Sequence, residues 1–306
     1  MTDQMHVIVV MAPPGTLFNR MLIENAVSAV QGQVVEAHRV AVPVTLADHR
    51  EVSKFLIDCP DPERLSAQLR QLSDQYGVDI ALQSRLSRCR PYGLAVFDMD
   101  STLISCEVID ELARVAGVGA EVAAITERAM RGELDFDESF RTRLALLEGL
   151  DAGAVDELAD QLPVQSGLSE MATTLKARGL RLAIFSGGFI PIAERLKNDY
   201  GFDHVVANGL EIRDGKVTGK IIPPIVNREY KAEALGALAS QLGIHTEHCI
   251  AVGDGANDLS MMALAGLGVA FHAKPAVRAA SPIEITHIGL DGVCYLMGHE
   301  GEFAAA

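Results

Sequence analysis

Residues 93 to 103, GLAVFDMDSTL, run from an apolar stretch straight into two aspartates separated by one residue. Leu94, Ala95, Val96 and Phe97 have the character of a buried strand, and few folds leave carboxylates at such an end without a use for them. On an extended chain alternate side chains point the same way, so Asp98 and Asp100 converge while Met99 turns aside. Such a pair suits a metal ion or a shared proton. The same residues also make good helix caps, so a capped turn is an alternative reading of this segment taken alone.

Two more strands end in the same manner. LAIF leads into Ser186-Gly187-Gly188, and CIAV leads into Gly253-Asp254-Gly255-Ala256-Asn257-Asp258. In open α/β sheets ligands collect beyond the carboxyl ends of the strands, so these segments should meet there. The Ser186 hydroxyl and the glycine amides after it could cradle an anion, or could form an ordinary strand-to-helix turn. Lys231 lies about one turn into a helix that Asn227 could cap. A cation there opposes the helix dipole, which makes sense opposite an anion, although solvated lysines occupy such positions too. Asp98 and Asp254 could each give an oxygen to a divalent ion, with a backbone carbonyl and waters completing an octahedron that suits Mg2+. Asp258 could act behind the metal or through water, and Asn257 could orient its neighbours.

The strands GLAVF, RLAIF, HCIAVG and LGVAF alternate with helical periodicity, which predicts a Rossmann-like parallel sheet covered on both faces. About eighty residues separate the first two strands, and helical patterns at 108–116, 121–131, 137–148 and 154–161 fill them, so an inserted helical cap is expected at about 106–163. Asp214-Gly215 marks a hairpin. Residues 1–85 read as a small α+β ferredoxin-like domain in the order β-α-β-β-α-β, with a first helix over 17–30 and a second strand over 33–44. Residues 84–91, with three arginines and two serines, read as a linker to a second domain over 86–306.

The chain has 41 acidic and 26 basic side chains, a net charge of −15 that argues against a general nucleic-acid binder and makes local positive charge necessary for any anionic substrate. Its five cysteines are widely spaced without a CxxC pair, as in a reduced, cytoplasmic protein without a zinc site. Neither a signal peptide nor the roughly 18 apolar residues of a membrane span is evident.

Taken in order, DMDST, SGG, Lys231 and GDGAND resemble the haloacid dehalogenase superfamily of aspartate-nucleophile phosphatases over roughly residues 92 to 296. The cap segments ISCEVIDELARVAG and MRGELDFDESFRTRLALL are similar to those of the phosphoserine phosphatase family. The resemblance implies that Asp98 attacks phosphorus and that Asp100 carries protons. It implies Mg2+ held by Asp98, Asp100 and Asp254, and a phosphate cradle of Ser186, Gly187, Lys231 and Asn257. It further implies that Glu107 meets the ammonium of O-phosphoserine, that Arg143 meets its carboxylate by a bidentate fork, and that Met130 and Phe136 close over it. Without the resemblance Glu107 reads as an N-terminal helix acid and Arg143 as a solvated arginine. Cys106 reads as a small core residue or an oxidation-sensitive thiol beside the site. The strand order and the Pro13-Pro14-Gly15 turn of the first domain resemble ACT regulatory domains, which implies a homodimer and an amino-acid effector such as L-serine.

Overall fold

The computed structural model describes residues 5–16, 18–40, 50–131, 133–299 and 302–303. Strands β1 (Met5–Ala12), β2 (Gln33–Val40), β3 (Glu51–Asp58) and β4 (Asp79–Ser84) form an antiparallel sheet in the order β2-β3-β1-β4, with helices α1 (Met21–Ala29) and α2 (Pro62–Tyr76) between them. The strand β1 shows why this sheet is sandwiched. Its even residues Ile8, Val10 and Ala12 pack with Ile23, Val27, Leu65 and Leu69 of the two helices. Its odd residues Val7, Val9 and Met11 join the core of the rest of the chain. Period-two alternation therefore gives two buried faces, each fully buried apolar side chain contributing roughly 1.5–3 kcal/mol.

The helix expected over 17–30 begins only at Met21, because the Asn19 side chain takes the Met21 N–H at 3.0 Å and turns the chain first. Leu17, and residues 41–44 of the expected second strand, lie outside the described residues.

The segment read as a linker is instead built into the molecule. It forms one helical turn, α3 (Arg85–Arg88), and Arg88 is fully buried. Its guanidinium donates to Gln83, Glu302 and the carbonyls of Tyr295, Leu296 and Met297 at 2.7–3.3 Å. Reading an arginine-rich stretch as solvated fails where carbonyls and a carboxylate satisfy the whole fork.

Beyond it, β5 (Leu94–Phe97) enters a seven-stranded sheet. Between β5 and the second inner strand lie α4 (Val108–Ala116), α5 (Gly119–Met130), α6 (Phe136–Ala145), α7 (Gly153–Asp160) and α8 (Leu168–Ala177). The chain continues through β6 (Arg181–Phe189), α9 (Ile190–Tyr200), the hairpin β7 (His204–Arg213) and β8 (Lys216–Ile222), α10 (Arg228–Gln241), β9 (Cys249–Gly253), α11 (Leu259–Leu264), β10 (Leu267–Phe271), α12 (Pro275–Ala280), β11 (Glu284–Ile285) and α13 (Gly292–Leu296). The sheet order is β11-β10-β9-β5-β6-β7-β8, parallel except for the β7/β8 hairpin. Strand β5 lies between β6 and β9, so the three strands with polar ends are adjacent.

Helices α4–α7 form the inserted cap. Its two crossings lie side by side: Ser105 N–H donates to Pro163 O at 2.8 Å and Gln165 N–H to Leu103 O at 2.9 Å. The hairpin turn at Asp214-Gly215 packs back on the cap, with Gly149 and Val217, and Ala152 and Gly215, joined through their backbones. No described helix is long and apolar enough to cross a membrane.

Candidate active site

Strand β5 ends at Phe97, the Asp98 N–H still donates to Val252 O of β9 at 2.9 Å, and the turn begins at Asp100. The alternation expected to aim Asp98 and Asp100 at one point therefore stops short of Asp100. Asp98, Asp254 and Asp258 are instead the carboxylates that meet, with one oxygen from each within 4.8 Å of the others, and all three are buried. Asp258, expected behind a metal, belongs to this group. Asp100, expected as a metal ligand, keeps its carboxylate outside it and accepts from Val108 N–H at 3.2 Å.

Asn227 caps α10 by accepting from Tyr230 N–H at 3.0 Å, which fixes the first turn and brings Lys231 inward. The lysine is fully buried, with its Nζ 2.7 Å from both Asp98 Oδ1 and Asp258 Oδ1. Burial penalises the ammonium, but the Asp258 and Asp98 carboxylates outweigh it and hold the group above an ordinary lysine. Burial and the neighbouring Asp258 drive Asp98 well above the usual carboxylate range, against the pull of Lys231. Asp254 is pushed up to about 6, first by burial and then by Asp258. Three carboxylates facing one ammonium leave two negative charges unbalanced, the deficit that a divalent cation fills, and an all-oxygen donor set suits a hard ion. Asp258 also accepts from Gly255 N–H at 3.0 Å, and a Cβ at Gly253 would stand 2.3 Å from its Cγ, so glycine is needed for that carboxylate to fold back.

Asp100 is pushed up to about 8 by burial and by Glu107. A carboxyl raised this far is largely protonated at neutral pH and can donate a proton. Its Oδ2 lies against Gly188, where a Cβ would approach within 2.7 Å. Ser186 is buried and accepts Gly188 N–H at 2.8 Å, which leaves its own O–H to donate. Gly187 is tied by its carbonyl to Asn208 Nδ2 at 2.6 Å, and Asn208 Oδ1 accepts from Val226 N–H at 2.7 Å. The fully buried Asn208 thus braces the phosphate-cradle candidates. The sequence reading missed it, and the one signal was a polar residue inside the apolar run of β7. Thr102, 3.4 Å from Asp254 Oδ1, was missed as well.

On the cap side, Ser101 adopts a left-handed backbone with φ 58°, and its hydroxyl donates to Glu107 Oε1 at 2.8 Å. Arg143 donates to Thr126 Oγ1 at 3.4 Å, while its Nε is buried without a partner. Burial lowers its pKa, against Asp110, Glu107 and Asp100, which favour the charge. Phe136 reaches over the cradle, its ring 3.5 Å from where a Gly187 Cβ would stand. Asn257 and Phe136 line a cleft of about 410 Å³ between cap and core. Asp137 accepts from Asn227 Nδ2 at 3.2 Å, joining the two layers. The side chain of Met130 lies outside the described residues. Cys106 is pushed up to about 11 by burial and nearby acids, so it is an unreactive thiol.

Fold and site together define a capped, mostly parallel α/β fold that gathers a buried acid cluster and a lysine at the carboxyl edge of its sheet. Residues 95–263 match the haloacid dehalogenase-like hydrolase family, and the chain belongs to it. It is 46% identical over 243 residues to a phosphoserine phosphatase of Mycobacterium tuberculosis, covering 79% of this chain and 59% of that protein. It is also 46% identical over 220 residues to a phosphoserine phosphatase of Haemophilus influenzae, covering 72% and 70% respectively. Among solved structures, a family hydrolase from Salmonella enterica serovar Typhi superposes with a TM-score of 0.85 at 32% identity, over 97% of this chain and 100% of that one. The chain therefore spans about three fifths of the mycobacterial relative's length and all of the Salmonella fold.

Proposed function

We propose that the chain is a Mg2+-dependent phosphoserine phosphatase that releases L-serine and inorganic phosphate. The observation that carries this is the buried group of Asp98, Asp254 and Asp258 bridged by Lys231, with Glu107 and an unpartnered Arg143 Nε presented from the cap. The relatives named above support it by their own activity. Asp98 and Asp254 would hold the ion by carboxylate oxygens and Asp100 by its main-chain carbonyl, with Asp258 steadying Lys231 behind them. When bound, Mg2+ offsets the charge of the phosphoryl oxygens.

Asp98 attacks phosphorus in line and forms an aspartyl-phosphate, while Lys231 neutralises the carboxylate and phosphoryl charge around it. Asp100 gives a proton to the departing serine oxygen and then takes one from the water that opens the intermediate. Ser186, Gly187 and Asn257 orient the phosphoryl oxygens. Glu107, held by Ser101, receives the substrate ammonium, and the free donors of Arg143 receive its carboxylate. Phe136 shields the phosphoenzyme from bulk water.

We assign residues 1–85 to an ACT-like regulatory domain, residues 86–306 to the phosphatase domain and about 106–163 to its cap, with a homodimer as the assembly and L-serine or another amino acid as effector. The reaction is tested by comparing kcat/KM for O-phosphoserine, O-phosphothreonine and a sugar phosphate at saturating Mg2+. A strong preference for phosphoserine is expected. Equal rates would assign the chain to another small phosphomonoester, and no hydrolysis at all would make it a non-catalytic sensor.

A further inference from the structure

The small domain owns a buried carboxylate with no place in the reaction above. Asp79, the first residue of β4, is fully buried, and its side chain reaches across to the segment that follows β11. Its Oδ1 accepts from Thr286 N–H at 2.6 Å, and its Oδ2 accepts from His287 N–H and Ile288 N–H at 3.0 Å each. Three successive amides converging on one carboxylate fix the 286–288 turn more firmly than backbone bonding alone would.

That turn is also joined to the acid cluster. His272 Nε2 donates to Ile288 O at 2.9 Å, so the bond itself places a proton on that nitrogen. His272 holds a left-handed backbone with φ 44°, which a histidine keeps only where its surroundings enforce it. Its amide donates to Ile285 O at 2.7 Å. Two residues later Lys274 N–H donates to the carbonyl of Asp254 at 3.3 Å. The helix between these points, α12, is pinned to the small domain a second time. Arg278 Nη2 meets Asp74 Oδ1 of α2 at 2.7 Å, and Arg70 Nη2 donates to Ser281 O at 2.9 Å.

We infer that Asp79 and His272 are positioning residues for the metal site, through which the small domain fixes the backbone of Asp254. The inference rests on reading the three-carboxylate group as a metal site. Carboxylates that bind an ion must be held to within about 0.5 Å, and the Asp254 backbone is braced by the loop that His272 stiffens. Loosening that brace weakens ion binding, while the enzyme saturated with metal keeps its chemistry.

The test is a titration of the full chain with Mn2+, the free ion being counted by electron paramagnetic resonance, for wild type, Asp79→Asn and His272→Asn. Asparagine tolerates the left-handed backbone at 272 but does not reproduce the reach of the ring, so this variant keeps the test alive if Asp79→Asn fails to fold. The dissociation constant for Mn2+ is expected to rise about fivefold or more in each folded variant, with kcat at saturating metal within about twofold of wild type. A folded variant that binds Mn2+ within about twofold of wild type overturns the inference, as does a wild type that binds none. Mn2+ binding that weakens as expected in a protein that hydrolyses no phosphomonoester leaves the inference standing and removes only the phosphatase reading.

Discussion

Two parts of this molecule bury charge, and they do so in opposite ways. At the strand ends three carboxylates surround the single ammonium of Lys231. At the junction of the two sheets one carboxylate, Glu302, meets two cations, Lys54 and Arg88, and the remaining Arg88 donors find Gln83 and main-chain carbonyls. The titration of the two sites follows this balance. Burial pushes the carboxylates of both sites upward, but Arg88 and Lys54 pull Glu302 down to about 2, whereas Asp258 helps to hold Asp254 up at about 6. Cations whose spare donors are satisfied by a carboxylate and main-chain carbonyls build structure, and a surplus of carboxylates is completed by a ligand.

The largest effect should come from breaking the unbalanced site. Asp98→Asn removes the proposed nucleophile and should lower kcat for phosphoserine by about 10³-fold or more, with the melting temperature unchanged or raised because an unbalanced charge has gone. An active variant would move the chemistry to another residue. Breaking the Glu302 site should do the reverse. Glu302→Gln leaves Arg88 and Lys54 uncompensated in the interior, and urea denaturation should show a loss of about 3 kcal/mol with kcat/KM per folded molecule little changed. A loss below about 1 kcal/mol would place that pair among ornamental ion pairs.

The contrast also separates what a sequence can and cannot reveal. The unbalanced site was legible because Asp98, Ser186 and Asp254 interrupt short apolar runs, and a strand that ends in polar residues marks the sheet edge where ligands gather. The Glu302 site was hidden. Arg88 sits in an arginine-rich stretch that reads as a linker, and Asp79, outside that site, sits in a run that reads as a plain strand, because most of their partners lie more than two hundred residues away. The same holds inside the active site. Glu107 and Arg143 came from a family pattern, whereas Asn208, which braces Gly187, carries no local signal of its two partners.

Smaller effects sharpen the comparison further. Arg143→Lys keeps the charge and loses the planar fork, so KM for phosphoserine should rise about 10–100-fold while kcat changes less; an unchanged KM would remove Arg143 from the carboxylate site. Glu302 has a folded pKa of about 2 against an ordinary 4.5, so its contribution to stability is complete above pH 4.5 and is lost as pH falls toward 2. The wild type should lose stability through that window, and Glu302→Gln should lose correspondingly less. Parallel acid curves for the two proteins would contradict the assignment.

The central claim is that Asp98 becomes covalently phosphorylated. Acid-quenching the wild-type protein during turnover of O-phosphoserine with Mg2+, then mapping the phosphoryl group by peptide mass spectrometry, tests it most directly. The account predicts a phosphorylated peptide with the modification on Asp98 that vanishes in Asp98→Asn. Steady turnover with the phosphoryl group on another residue, or surviving the Asp98→Asn substitution, would contradict it.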